Sequence, residues 1–167
     1  MSIAQSLLPE FDHEMANTRT TLARVPMDKG QWKPHDRSGS MQWLAGHLAR
    51  LPQWAWHTVA HSELDMDNPG IETPDLPETS EELLAMFDRF SAEAREAIAG
   101  ADDATLMDSW TLRSGEQELF TMPKAAVIRS FVMNHMIHHR GQLTVYLRLH
   151  DVPVPALYGP SADENPM

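Results

Sequence analysis

Residues 124–150 read KAAVIRSFVMNHMIHHRGQLTVYLRLH, and the spacing of apolar side chains in this stretch decides the fold class. Pro123 stands just before it, where a fixed φ and a missing N–H suit the first turn of a helix. On a wheel of about 100° per residue, Ile128, Phe131, Val132, His135, His139, Gln142 and Tyr146 share one side. Arg129, Met133, Arg140, Thr144 and Arg148 take the other. The spacing predicts a helix from Lys124 to His150 whose apolar stripe must be covered by other helices.

Three further segments supply that cover. From Ile3 to Ala23, residues Leu7, Leu8, Phe11, Met15, Thr18 and Leu22 recur at helical steps. Ser38 or Ser40 can cap a second helix that runs to about His61, kinked by Pro52. Thr79-Ser80-Glu81-Glu82 forms a capping box for a third helix to about Ala99, with Gly100 as its stop. Met27 to Gly39 and Ser62 to Glu78 read as irregular connections. Trp110 to Leu112 and Glu118 to Phe120, on either side of Ser114-Gly115, fit a short hairpin, an irregular crossover or a plain loop. The Pro-rich run from Val152 to Met167 predicts an extended tail lying over the helices. The expectation is an all-α chain, a single domain over residues 1–167 built as a four-helix bundle with long connections.

Composition narrows the function classes. With 24 acidic against 13 basic residues, the net charge of −11 argues against nucleic acid as a partner. The absence of cysteine excludes disulfides, thiolate metal sites and a cysteine nucleophile. Met1 to Glu10 lacks the basic and apolar regions of a signal peptide, and no run reaches the roughly 18–20 apolar residues of a membrane span. A soluble cytoplasmic protein is expected, without a membrane partner. Arg129, Arg140 and Arg148 fit at most a small basic patch. Met133, Ile137 and Leu147, on the outer side of the last helix by the wheel, hint at a surface for pairing two copies.

The nine histidines carry most of the functional information. His135 and His139 lie one turn apart in the middle of the apolar stripe, and two imidazoles at that spacing can grip one metal ion. His47 shares the inward side of the second helix with Ser40, Trp43, Leu44, Leu51, Trp54 and Thr58. His138 sits near the boundary of its stripe, and His57 and His61 lie toward the flanks of theirs. Two readings fit these residues: a three-nitrogen metal site with an open position, or buried imidazoles hydrogen-bonded to one another. Gln142 is either the support of a ligand or a core amide. Trp43, Trp54 and Trp56 are packing residues or a pocket wall. Asp36 and Glu116, both in loops, are the only carboxylates in view for a hydrolytic base.

Three stretches carry a resemblance. Met41-Gln42-Trp43-Leu44-Ala45-Gly46-His47-Leu48, Asn134-His135-Met136-Ile137-His138-His139-Arg140-Gly141-Gln142-Leu143 and Val154-Pro155-Ala156-Leu157-Tyr158-Gly159-Pro160-Ser161-Ala162-Asp163-Glu164 resemble the DinB-like family of metal-dependent proteins, in order and spacing. The resemblance implies an up-down-down-up four-helix bundle, often a homodimer, with nickel or zinc held by three histidines. Carried over, the ligands are His47, His135 and His139, while His138 matches a non-ligand position; no further catalytic residue is assigned. It also implies a thiol-dependent S-transferase acting on a small-molecule substrate with a low-molecular-weight thiol cosubstrate. A metal-dependent hydrolase and a non-enzymatic, stress-related metal-binding bundle are the alternatives. In each metal reading, protons displace the metal below about pH 6.

Overall fold

The computed structural model describes residues 1–165. In chain order it contains α1 (Ile3–Leu22), a 3₁₀ turn (Met27–Lys29), α2 (Met41–Arg50), α3 (Pro52–Ala60), β1 (Glu63–Asp65) and α4 (Ser80–Gly100). There follow α5 (Asp103–Met107), β2 (Ser109–Ser114), β3 (Gln117–Pro123), α6 (Lys124–Val127), a π-helical segment (Ile128–Met133) and α7 (Asn134–Leu149). Local chemistry sets most boundaries. The Thr79 hydroxyl accepts from the Glu82 N–H at 3.1 Å, and the Glu82 carboxylate accepts from the N–H groups of Glu78 and Thr79 at 2.8 and 3.2 Å, which completes the expected capping box. Pro52 occupies the first turn of α3, so the expected kink is a break between two helices.

The chain is mostly helical, but the all-α expectation needs correction because β1, β2 and β3 form a small sheet in that order. β2 and β3 pair antiparallel, and Gly115, with φ of +55°, turns the two-residue loop between them. Of the possibilities the sequence left open here, the hairpin is the one formed. β1 adds in parallel to β2 from within the Ser62–Glu78 connection, which had read as irregular throughout. Alternation along β2 buries Trp110 and Leu112 on one face, where they join Leu64 and Val127, while Phe120 stacks on Phe131 with ring centroids 4.4 Å apart.

The main core gathers Leu7, Phe11, Met15 and Leu22 of α1, Leu44 and Leu48 of α2, Leu83, Phe87 and Ile98 of α4, and Met136, Leu143 and Leu147 of α7. The last helical segment does not present the stripe expected from a uniform wheel. The π-helical turns advance less per residue than α-helical ones. The buried line therefore runs from Ile128 and Val132 into Met136, Arg140, Leu143 and Leu147. His135 and His139 are displaced from the middle of the core face to its half-buried edge. The proposed pairing surface is corrected too: Met133 and Leu147 are fully buried, and the exposed apolar side chains of this helix are Val145 and Leu149.

Arg140 is 1% exposed and pairs with Glu14, itself 4% exposed, at 2.6 Å. It also donates to the Glu14 carbonyl at 3.1 Å and to the Thr18 hydroxyl at 3.0 Å. The Tyr158 hydroxyl joins them, contacting Arg140 and donating to the Glu14 carboxylate at 2.7 Å. The segment after α7 has no regular secondary structure among the described residues, and its fastenings include Tyr158 to this pair, Asp163 to Arg148, and Glu164 and the Pro153 carbonyl to Arg24. Pro166 and Met167 of the expected tail lie outside the described residues. Arg129 pairs with Glu10, so the three arginines are neutralised separately and form no basic patch. Among the described residues no helix is long and apolar enough to cross a membrane.

Replacing Glu14 by Ala strands a buried guanidinium and is expected to cost about 3–5 kcal/mol in urea unfolding. A loss below about 1 kcal/mol would show that the pair behaves like an exposed one.

Candidate metal centre

Ser40 opens α2, its hydroxyl accepting from the Trp43 N–H at 3.2 Å. Backbone bonds from Met41 to the Trp32 carbonyl and from Gln42 to that of Gly30, each 2.9 Å, tie this helix start to the preceding loop. His47 follows near the end of α2. Across from it, α7 begins immediately after the π-helical segment and presents His135 and His139 on successive turns. These three side chains, expected from the sequence to converge, are brought together with potential ligand atoms all within 4.8 Å of one another.

Their Nε2 atoms face inward: His47 to His135 is 3.4 Å and His135 to His139 is 2.8 Å. The hydrogen-bond network assigns the tautomers. His139 Nδ1 lies 2.7 Å from Gln142 Oε1, an acceptor, so the His139 proton sits on Nδ1 and its Nε2 carries a lone pair. The Phe131 backbone one turn back favours a proton on the His135 ring. The His139 lone pair lies 2.8 Å from His135 Nε2, a separation that an N–H on His135 or a shared cation can bridge.

Among cations, a proton is disfavoured at His47 and His135. Burial, followed by the neighbouring His139, His135 and Arg50, lowers the His47 pKa to about 4, and burial together with His139 lowers that of His135. A soft or borderline divalent cation fits better, since neutral imidazole nitrogens suit zinc, nickel or copper and not magnesium or calcium. Three nitrogens also leave positions for an incoming molecule.

Cavities lie on both sides of the trio. One of about 400 Å³ is lined by Trp43, His139, Gln142 and Tyr146, together with Gly39 and Ser38. Trp43 is 42% exposed and stacks on His47, centroids 5.2 Å apart and planes 4° from parallel. Gly39 permits this, because a Cβ there would lie 2.5 Å from the indole. The Tyr146 hydroxyl donates to the Gly39 carbonyl at 3.2 Å. A second cavity of about 180 Å³ is lined by His47, Arg50 and Trp54, among others. Of the two readings the sequence allowed, Trp43 and Trp54 are thus pocket walls. Glu72 is the one carboxylate lining either cavity, and Arg89 holds it through two bonds of 2.8 and 3.0 Å. Neither Asp36 nor Glu116 lines them.

The other candidate histidines stand apart. His138 is exposed and reaches Gln142 Nε2 at 3.1 Å. His57 is buried against His61, ring centroids 4.4 Å apart, beside Trp110 and Lys124. Sequence reasoning passed over Arg50 altogether. The only available signal was its position three residues after His47, which puts it on the same side of α2.

Comparison with known proteins agrees with this architecture. The family model described as DinB family matches residues 1–166. The Bacillus subtilis protein YrdA, described as uncharacterised, is 27% identical over 136 residues, covering 75% of this chain and 72% of that protein. The crystal structure of a DinB-like protein (YjoA) from Bacillus subtilis superposes with a TM-score of 0.69 at 18% identity, over 90% of this chain and 96% of the other. A DinB-like protein from Bacillus cereus superposes with a TM-score of 0.70 at 17% identity, over 92% and 97%. These two likenesses place the fold as DinB-like.

Gln142→Leu removes the acceptor that fixes His139 and is expected to weaken zinc binding about 10–100-fold with helix content intact, as read by competitive titration against a chromogenic chelator. Unchanged affinity would mean that the amide does not orient the ring. In metal-free protein, His47 and His57 stay neutral down to about pH 4, whereas the unfolded chain protonates them near 6.5. The unfolded state therefore binds more protons between these values, so stability is complete above 6.5 and falls as pH drops. The urea midpoint is expected to decrease between about pH 7 and pH 5, where carboxylates remain ionised, and His57→Leu should flatten that decrease. A midpoint independent of pH over this range would contradict the burial of these rings.

Proposed function

We propose that this chain, which belongs to the DinB family, is a metal-dependent S-transferase whose divalent ion, nickel or zinc, is held by His47, His135 and His139. The observation that carries the reading is the convergence of three imidazole nitrogens at the edge of an open cavity, with no carboxylate among the described residues in the group. A structural zinc site ordinarily closes its fourth position with a protein ligand, and among the described residues the group holds three histidines and no fourth. A hydrolytic site ordinarily keeps a carboxylate free to act on water, and Glu72 is committed to Arg89.

When bound, such an ion favours a thiolate over a thiol. The chain has no cysteine, so the sulfur arrives on a low-molecular-weight cosubstrate. Its proton passes to solvent, the sulfur bonds to an electrophilic carbon of the small-molecule substrate, and the leaving group departs from that carbon. The protein's own contribution is positional. Gln142 fixes the His139 ring, the stacked Trp43 fixes that of His47, and Trp43 and Tyr146 wall the side where an electrophile can lie. The scaffold is read as the family's up-down-down-up four-helix bundle. A homodimer belongs to the same proposal, with Val145 and Leu149 as its apolar face.

Elemental analysis of untagged protein is expected to find a single nickel or zinc ion per chain. Monochlorobimane conjugation with small thiols should depend on that metal. His135→Ala or His139→Ala should lose both while keeping helix content by circular dichroism. Stoichiometric metal in either variant, or conjugation unaffected by a chelator, would overturn the assignment.

A further inference from the structure

In this acidic chain most cations have a carboxylate partner. Arg19, Arg24, Lys29, Arg89, Arg95, Arg113, Arg129, Arg140 and Arg148 all form ion pairs. Among the described residues the exceptions are Lys33, Arg37, Arg50 and Lys124. Lys124 is buried and donates to the Val59 carbonyl at 2.9 Å. Lys33 and Arg37 are exposed on the loop that carries Pro34 and Ser38, two residues lining the larger cavity. Arg50 is different: half-buried, three residues after His47, and lining with it the cavity of about 180 Å³.

Among the described residues the only hydrogen bond of its side chain is a long one, from Nη1 to the Pro74 carbonyl at 3.5 Å. Glu72 shares the cavity but is held by Arg89 and does not pair with Arg50. A guanidinium that is half-desolvated and without a carboxylate, in a chain with acid to spare, marks a place where a carboxylate comes from outside. Its planar fork of donors matches that group in shape as well as charge. Of the cations without a carboxylate, Arg50 alone lines a cavity with one of the three histidines.

We propose that Arg50 is a specificity-determining residue that binds the carboxylate of the thiol seated at the three-histidine centre, so that the cosubstrate class is a carboxylate-bearing thiol. This rests on the metal-dependent thiol reading above. The smaller cavity receives the carboxylate and leaves the larger one, walled by Trp43 and Tyr146, for the electrophile.

The full chain loaded with cobalt(II) tests this by absorbance, since a sulfur ligand gives a charge-transfer band that can be titrated. The probes are 3-mercaptopropionate and 2-mercaptoethanol, which differ chiefly in the carboxylate. The unsubstituted protein is expected to bind 3-mercaptopropionate about tenfold more tightly, the size of one charge-assisted contact. Arg50→Gln should bring the ratio of the two affinities close to one, and Arg50→Lys, which keeps charge without the fork, should leave an intermediate ratio. A ratio near one in the unsubstituted protein, with both thiols giving the band, overturns the role of Arg50 and spares the thiol reading. A preference that survives Arg50→Gln overturns it equally. No band with either thiol overturns the thiol reading and this inference with it.

Discussion

The buried pair of Arg140 and Glu14 constrains everything around it. Neither charge has water to solvate it, so each must keep the other, and α1 and α7 are locked in one rotation and one register. That rotation turns Arg140 inward and, one residue earlier, sets His139 at the rim of the core. Tyr158 closes the same network from the far end of the chain, which explains how a segment without helix or strand is held. The pair contributes specificity of arrangement more than net stability, because hydrophobic residues of the same volume could fill the space at lower cost of desolvation.

The centre exists because the last helical segment is not uniformly α-helical. A regular helix would carry the line of Ile128 and Val132 toward His135 and His139 and bury both rings. The wider turns before α7 redirect that line to Met136 and Arg140. The rings are left half-buried, so that burial lowers the pKa of His135 while a molecule can still reach both. Gln142 takes the outward proton of His139, and the inward Nε2 of that ring is left free to bind a cation or to accept from His135. Each element of the site is thus held from outside before anything binds.

Charge follows the same economy of placement. Most basic side chains are matched by a carboxylate, so Arg50, which lines a cavity with His47, stands out. Among the described residues Glu72 is the carboxylate that lines these cavities, and Arg89 holds it. Transfer chemistry with an external nucleophile is consistent with both.

Much of this was legible in the chain itself. The Thr79 to Glu82 capping box, the Ser40 cap and the break at Pro52 depend on neighbours a few residues away, and each was readable from those neighbours. The three histidines were readable as well, because i,i+4 spacing on one helix and a third inward ring on another survive small errors of phase. What could not be read were the outcomes set by distant contacts. The partner of β2 in the Ser62–Glu78 connection, the burial of Met133 and Leu147, and the inward turn of Arg140 follow from which face each element presents to another. A single helical period cannot anticipate a change of pitch within the helix. The sequence by itself determined the helices, their caps and the ring trio. Only the tertiary structure decided that the trio lies at an edge, that two indoles wall its cavities and that Arg50 stands there without a carboxylate, since exposure and pairing belong to the packed chain and not to any one of its segments.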